Sequence, residues 1–218
     1  MMKKEDVSAL ESKDLWAIER QLFSEGYRLV CGCDEAGAGP LAGPVYAGAV
    51  ILPEGLLLPY LNDSKKVTAK RRDILFDEIR EQAVTYAVAS VSVEEIDDMD
   101  ILNARMLAMQ RAIDQLDPMP EYALIDGDRD HGSRVGIVTA HDMVIGGDAL
   151  SASIAAASIL AKVSRDRYME EIAEIYPGYG FEKHKGYGTK AHYAALDRLG
   201  PCPIHRKSFL KKWEAKRG

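Results

Sequence analysis

Apolar and polar residues recur along the chain at spacings that predict helices and strands in turn. An amphipathic helix is expected over residues 7–24, ending at Gly26, and a second helix over residues 69–82. Three short apolar or Val/Tyr-rich runs predict strands: residues 27–33, 45–52 and 84–93. Between the first two strands, the Gly/Pro-rich segment 37–44 predicts a turn.

The second half of the chain continues the same alternation. Residues 101–116 predict a helix, 122–125 a strand, 135–145 a broken β-type stretch and 149–175 the longest helix. The first half of that last helix is nearly all Ala, Ser, Ile and Leu, so it should pack deeply. Three closely linked strands followed by strand–helix units predict an α/β domain with a mixed sheet.

A Pro/Gly cluster at residues 176–180 marks the expected joint between a domain over 1–180 and a basic appendage over 181–218. The formal net charge is −6. Residues 182–218 hold ten Lys/Arg and three Asp/Glu, a balance of +7, which leaves −13 for the remainder. The basic end is either a surface that meets phosphate or a solvated tail, and charge alone does not separate the two.

Composition limits the classes of protein to consider. No apolar run is long enough to span a bilayer and the N-terminus turns acidic at once, so a cytoplasmic protein without a membrane partner is expected. The cysteines, Cys31, Cys33 and Cys202, are an odd set without a second ligand pair. Reduced thiols are therefore favoured over a zinc site.

Four carboxylates occur where predicted strands end or a helix begins: Asp34, Glu35, Asp126 and Asp148. Neighbouring strand ends converge at one edge of such a sheet. Clustered carboxylates repel one another unless a cation joins them, and hard oxygen ligands suit Mg²⁺ or Mn²⁺. Two such ions would serve an in-line displacement at phosphorus, with one activating water and the other stabilising the departing oxygen.

Each carboxylate also has a structural explanation. Asp34 could begin a turn, Glu35 could be solvated, and Asp126-Gly127 is an ordinary turn dipeptide. Asp148 could be the N-cap of the long helix. Spacing leaves three nearby competitors for the same site: Asp128, Asp130 and Asp142.

The glycine turn allows a different enzyme class. Residues 37–42 match a weak dinucleotide-binding fingerprint, G-x-G-x-x-A. That motif must open a helix, whereas Gly43-Pro44 interrupts it and the next residues predict a strand. A nucleotide-cofactor enzyme is therefore disfavoured. The two close glycines of this turn would still allow its backbone amides to approach a ligand such as a nucleic-acid sugar.

Several motifs together resemble those of bacterial ribonuclease HII, from about Tyr27 to Phe209. The first is the run from Cys33 through Asp34-Glu35-Ala36 and the glycine turn to Val45. The others follow in the family's order: Asp63-Ser64-Lys65-Lys66, Ile125-Asp126-Gly127, Gly147-Asp148, the Ala/Ser-rich segment 153–166, and His184-Lys185-Gly186-Tyr187-Gly188-Thr189. Ribonuclease HIII is a poorer match, because its first signature differs.

The resemblance implies a ribonuclease H-like mixed five-stranded sheet flanked by helices, with a small helical C-terminal appendage. It also implies that Asp34, Glu35, Asp126 and Asp148 are catalytic and hold two divalent cations, Mn²⁺ or Mg²⁺. The implied substrates are RNA–DNA hybrids and duplex DNA with embedded ribonucleotides. Hydrolysis would leave a 3′-hydroxyl and a 5′-phosphate, and a monomer is expected.

The resemblance further implies a set of substrate contacts: Gly37, Ala38, Gly39, Tyr187, Ser64, Lys65, Lys162 and Arg165. The glycine turn and Tyr187 would sense the 2′-hydroxyl, which distinguishes RNA from DNA. Lys65, Lys162 and Arg165 would contact phosphates. From the residues alone, Tyr187 reads as a half-buried aromatic and the three cations as solvated surface charge.

Ala38 departs from the family pattern, which has Arg between the two glycines. An Arg there would make a charge-assisted contact with the nucleic-acid backbone. Its loss should weaken binding by ~1–3 kcal/mol, while the carboxylates and the amides of the turn remain. A rival hypothesis is a module that grips hybrids without cutting them, but the retained carboxylates argue against it.

Overall fold

The elements follow the predicted order with one addition, helix α3, in a computed structural model that describes residues 14–59, 61, 68–128 and 133–215. The strands are β1 (Val30–Ala36), β2 (Val45–Ile51), β3 (Thr85–Val91), β4 (Tyr122–Asp126) and β5 (His141–Val144). The helices are α1 (Ala17–Ser24), α2 (Ala69–Gln82), α3 (Val93–Met99), α4 (Ile101–Ile113), α5 (Ala152–Ile175), α6 (Phe181–His184), α7 (Lys190–Leu199) and α8 (Lys207–Glu214). A short 3₁₀ helix, Gly147–Ala149, precedes α5.

The five strands form the predicted mixed sheet, in the order β3-β2-β1-β4-β5. β1, β2 and β3 pair antiparallel, whereas β1, β4 and β5 pair parallel. In the parallel pair, Cys33 of β1 lies opposite Ile125 of β4. The next residue in each strand is Asp34 or Asp126, so the two carboxylates leave the sheet side by side.

Helices cover both faces of the sheet. On one face, α4 contributes buried Met109 and Ile113 to a core shared with Cys31 and Cys33. On the other, the Ala-rich half of α5 packs with α2, as its composition predicts. A Cβ on Gly32 of β1 would overlap the backbone of Ser153, so only glycine lets α5 come this close.

Some boundaries differ from those predicted. β1 runs to Ala36, so Asp34 and Glu35 lie within the strand and do not follow it. The stretch 135–145 pairs only over His141–Val144. The long helix begins at Ala152 and not at 149, because the Ser151 hydroxyl caps it by accepting from the Ile154 amide at 3.1 Å. Of the helix predicted over 7–24, residues 7–13 lie outside the described residues.

The C-terminal helices pack against the end of α5 and against the glycine turn. Phe181, Leu196 and Leu210 share a buried cluster with Met169 of α5 and Leu41 of the turn. The predicted appendage therefore shares a core with residues that border the carboxylates, and the division at residue 180 stays a prediction. Of the described helices, none has the length and apolar character that crossing a bilayer requires.

Candidate active site

The four predicted carboxylates line one cavity of about 490 Å³ at the C-terminal ends of β1 and β4. The other residues of its wall include the start of the glycine turn, part of α5 and an aromatic ring. The lining residues are Asp34, Glu35, Ala36, Gly37, Ala38, Gly39, Arg72, Asp126, Asp148, Ser158, Ile159, Lys162 and Tyr187. The sheet therefore brings together side chains separated by more than a hundred positions in the sequence.

Asp34 is buried at the centre of this group, with 7% of its surface exposed. Its Oδ1 accepts a hydrogen bond from the Glu35 amide at 2.7 Å, and Ser158 of α5 also bonds the carboxylate. Burial raises the pKa of Asp34 well above its usual range, and the nearby charges of Glu35 and Asp126 raise it further. The site therefore disfavours the charged form of Asp34, which a cation at the carboxylates would favour.

Glu35 has one oxygen paired and one unsatisfied. Its Oε1 lies 2.7 Å from Nε of Arg105 on α4, whereas its Oε2 is buried without a hydrogen-bond partner. Burial raises the pKa of Glu35, and Arg105 opposes that rise. An orphaned carboxylate oxygen beside other carboxylates fits a cation, because an unpaired buried acceptor otherwise costs free energy.

Asp126 and Asp148 are connected through Gly147. Oδ1 of Asp126 accepts from the Gly147 amide at 2.7 Å, which places Asp148, the next residue, at the same edge. Asp148 is 7% exposed within the 3₁₀ helix, and Ser151 is the N-cap of α5. The alternative reading of Asp148 as the N-cap is therefore wrong.

These carboxylates do not yet form a metal cage. Within the described part of the chain, no three or more His, Cys, Asp or Glu side chains are arranged so that they could hold one metal ion together. The contacts explain this arrangement: Glu35 turns towards Arg105 and Asp126 towards the Gly147 amide.

Two buried guanidinium groups hold the glycine turn from behind. Arg206 donates from Nη2 to the Gly37 carbonyl at 2.6 Å, from Nη1 to that of Ala38 at 2.9 Å and from Nε to that of Gly43 at 2.8 Å. Arg165 donates to the carbonyls of Pro44, Lys185 and Ala42, each at 3.1 Å. A Cβ on Gly37, whose φ is +95°, would overlap Arg165, so the turn requires glycine there.

The prediction that Arg165 contacts a phosphate is not supported by its position. Arg165 is 1% exposed and each of its three guanidinium nitrogens donates to a backbone carbonyl. Lys162, one helical turn earlier, does line the cavity and pairs with Asp166 at 2.7 Å. Ser64 and Lys65 lie outside the described residues.

Tyr187 lines the same cavity as the carboxylates and is 44% exposed. A Cβ on Gly39 would lie 3.9 Å from its ring, so the ring faces the glycine turn directly. Gly37, Ala38, Gly39 and Tyr187, all predicted to contact substrate, thus meet in one wall. Of the competing carboxylates, Asp128 and Asp142 are not among the lining residues, and Asp130 lies outside the described residues.

Sequence reasoning missed several residues that shape the site: Arg206, Arg105, Ser158 and Arg72. Arg206 sits in a basic segment that reads as solvated, yet it is fully buried. No local pattern distinguishes a buried arginine from an exposed one, since its partners are backbone carbonyls far away in the sequence. Arg105 gives a weak signal, because it interrupts an otherwise apolar and small helix face.

Known proteins match nearly the whole chain. A family model for ribonuclease HII matches residues 31–212. The ribonuclease HII of Endomicrobium trichonymphae is 53% identical over 196 residues, which cover 90% of this chain and 92% of the relative. That of Caldicellulosiruptor saccharolyticus is 49% identical over 199 residues, which cover 91% and 95%. The crystal structure of the ribonuclease H2 from Pyrococcus horikoshii OT3 superposes with a TM-score of 0.70 at 26% identity, covering 87% of this chain and 99% of that one. The chain therefore belongs to the ribonuclease HII family, and it is a ribonuclease.

Proposed function

We propose that the cavity is the active site of an endonuclease that hydrolyses the RNA strand of RNA–DNA hybrids and cuts duplex DNA at embedded ribonucleotides. The products would be a 3′-hydroxyl and a 5′-phosphate. One observation carries the proposal: Asp34, Glu35, Asp126 and Asp148 line a single cavity together with the glycine turn and Tyr187. The carboxylates are thus present in the same cavity as a glycine turn and an aromatic ring.

Asp34, Glu35, Asp126 and Asp148 would hold two divalent cations, Mg²⁺ or Mn²⁺, since carboxylate oxygens are the ligands that these ions prefer. The orphaned Oε2 of Glu35 supports this assignment. When bound, the ions would supply a lowered pKa of the attacking water and charge stabilisation of the departing oxygen. Asp34, held by the Glu35 amide and by Ser158, would keep its orientation throughout.

The glycine turn would read the ribose through its amides. In a trans peptide the carbonyl and the following amide point in opposite directions. Because Arg206 binds the carbonyls of Gly37 and Ala38 from behind, the amides of Ala38 and Gly39 point away from Arg206. We infer that these amides meet the 2′-hydroxyl, and that the Tyr187 ring packs on the neighbouring sugar.

Phosphates would be met by side chains at the rim of the cavity. Lys162 is the described candidate, with 34% of its side chain exposed beside the carboxylates. Its pairing with Asp166 leaves two of its three ammonium protons for other acceptors. The proposed contacts of Ser64 and Lys65 rest on the sequence alone.

We also propose that the enzyme acts as a monomer in the cytoplasm and that residues 181–218 form an appendage on a domain over 1–180. The free cysteines, with Cys31 and Cys33 buried, agree with a reducing compartment. The appendage would complete the glycine turn, because Arg206 belongs to it.

A labelled DNA duplex with one embedded ribonucleotide tests the proposal, with an all-DNA duplex of the same sequence as the control. We expect a cut on the 5′ side of the ribonucleotide in Mg²⁺ or Mn²⁺, no cut with EDTA, and none in the control. Successful ligation of the 3′ fragment would show that it carries a 5′-phosphate. Intact substrate at enzyme excess, with either cation, would refute the activity.

A further inference from the structure

Three histidines lie behind Tyr187 in the C-terminal segment: His184 on α6, His192 on α7 and His205 just before α8. His192 is 0% exposed and His205 is 3% exposed, although both are polar. Neither lines the cavity, and the proposed function does not use them. Buried imidazoles need partners for both ring nitrogens, so their hydrogen bonds define what they do.

The partner of His192 sets the direction of the hydrogen bonds. Nδ1 of His192 lies 2.9 Å from the carbonyl oxygen of Tyr187, which can only accept, so neutral His192 has its proton on Nδ1. Nδ1 of His205 lies 2.9 Å from the amide nitrogen of Cys202, 3.1 Å from its sulfur and 3.2 Å from its carbonyl oxygen. The two Nε2 atoms are 3.0 Å apart, so His205 donates from Nε2 to His192 and its own Nδ1 accepts from the Cys202 amide. A single chain of hydrogen bonds, here the histidine relay, runs from the Cys202 amide to the Tyr187 carbonyl.

The relay is complete only when both imidazoles are neutral. A proton added to Nε2 of His192 would place two N–H groups against each other over 3.0 Å. Burial lowers the pKa of His192 to about 4, with His184 and His205 adding to the effect, and burial lowers that of His205 as well. His184 is also satisfied: its Nε2 donates to the Tyr179 carbonyl at 2.9 Å and its Nδ1 accepts from the Gly186 amide.

Tyr187 is thereby held at both backbone groups. Its amide donates to the His184 carbonyl at 2.8 Å, and its carbonyl accepts from the Thr189 amide at 2.8 Å as well as from His192. The Tyr187 ring lies beside Gly39, since a Cβ built on that glycine would be 3.9 Å from a ring carbon. A shift of the backbone at residue 187 would therefore change the gap between the ring and the glycine turn.

We propose that His192 and His205 are positioning residues, which fix the Tyr187 ring at the distance from the glycine turn that a ribose requires. The inference rests on the proposed function, since it assigns Tyr187 to the sugar. Neither imidazole lines the cavity, and Tyr187 is the cavity residue to which His192 hydrogen-bonds. A residue that only stabilised the fold would not show a dependence on Tyr187.

A double-mutant cycle on kcat/KM with the single-ribonucleotide duplex tests that dependence. Tyr187→Ala is the reference. His192→Leu removes both ring nitrogens and should lower kcat/KM about tenfold in the wild-type background, but less than about twofold in the Tyr187→Ala background. His192→Asn keeps a donor near the position of Nδ1 and should recover most of the activity. Equal losses in both backgrounds, or no recovery with Asn, would overturn the proposal.

A second measurement does not depend on how the variants fold. Long-range ¹H–¹⁵N spectra of the wild-type imidazoles at pH 7 should show the proton on Nδ1 of His192 and on Nε2 of His205 and His184. A charged His192, or one protonated on Nε2 alone, would overturn the relay. Cleavage by the wild type is measured first, and its absence would reject the proposed function. If the wild type cleaves but the losses from His192→Leu and Tyr187→Ala are additive, only the positioning role of the relay is rejected.

Discussion

At the scale of single residues, one residue type takes different roles according to the groups that surround it. Arg165 and Arg206 are buried and bind carbonyls of the glycine turn, whereas Arg105 pairs with a carboxylate of the site. All three would be solvated cations if judged by type alone. The carboxylates were easier to find from the sequence, because four of them occur together at predicted strand ends or at a predicted helix start.

Replacing Asp126 with Asn should abolish activity and preserve the fold. Asn keeps an oxygen for the Gly147 amide, 2.7 Å away, but removes the charge that a cation needs. We expect kcat/KM to fall by roughly 10²-fold or more, with little change in thermal unfolding. Asp142→Asn on the neighbouring strand is the matched control, since Asp142 is exposed and not among the cavity-lining residues. Near-normal turnover of the Asp126 variant would contradict the assignment.

Replacing Ala38 with Arg should strengthen substrate binding. Ala38 lines the cavity while its carbonyl is held by Arg206, so a longer side chain can reach the rim without disturbing the turn. A new charge-assisted contact of ~1–3 kcal/mol would raise kcat/KM by about five- to 140-fold. Ala38→Gln, which adds a shorter polar side chain without the charge, should gain much less. If added salt left the gain of the Arg variant unchanged, a phosphate contact would be excluded.

At the scale of elements, the sequence was most informative where composition and geometry agree. The Ala/Ser-rich half of α5 was predicted to pack deeply, and it does, against Gly32 of β1. Helix α3 was missed because residues 84–93 read as one strand, although Ser92 and Glu95 form the capping box that begins it. The strand within 135–145 was placed loosely, since only four residues pair with β4 and their neighbours share the same composition.

Replacing Gly32 with Ala should destabilise the protein strongly. The added methyl group would overlap the Ser153 backbone, which cannot rotate away as a side chain could. We expect a loss of at least ~3 kcal/mol in the free energy of unfolding, measured by urea titration. Gly136→Ala provides the comparison, because a Cβ there meets nothing within 4 Å. Equal stability of the two variants would contradict this prediction, because it would mean that α5 can move away from the sheet without cost.

At the scale of the whole molecule, contacts distant in the sequence decide what the cavity becomes. The mixed sheet could be predicted, because three closely linked strands followed by strand–helix units indicate a meander and then parallel crossovers. The meeting of the four carboxylates in one cavity could be predicted because each lies at a predicted strand end or helix start. The closing of the glycine turn by Arg206 could not, since 169 positions separate Arg206 from the Gly37 carbonyl that it binds. Local periodicity contains no information about such a pair.

The histidine relay should make the fold sensitive to mild acid. The pKa of His192 is about 4 in the fold and about 6.5 in an unfolded chain, so the unfolded chain binds more protons between these values. The stabilising contribution of His192 is then fully present above pH 6.5 and is lost as pH falls towards 4. The raised pKa values of Asp34 and Glu35 act in the opposite direction.

Comparing the wild type with His192→Asn isolates this effect, because the carboxylates are common to both proteins. The difference in Tm between them should shrink as pH falls from 7 to 5, since only the wild type has His192 to protonate. His184 and His205 are also common to both proteins. A difference in Tm that does not change over this range would contradict the shifted pKa of His192.

The hydrogen bonds from Arg206 to the glycine turn affect the order in which the site can form during translation. Translation delivers the acidic residues and the turn long before Arg206 emerges, so a nascent chain could fold its sheet while the glycine turn still lacks one of the two arginines that hold it. Premature termination before codon 206 would likewise leave the carboxylates beside a turn held by Arg165 without Arg206. The complete set of contacts on the glycine turn would then form only after residue 206 has been synthesised.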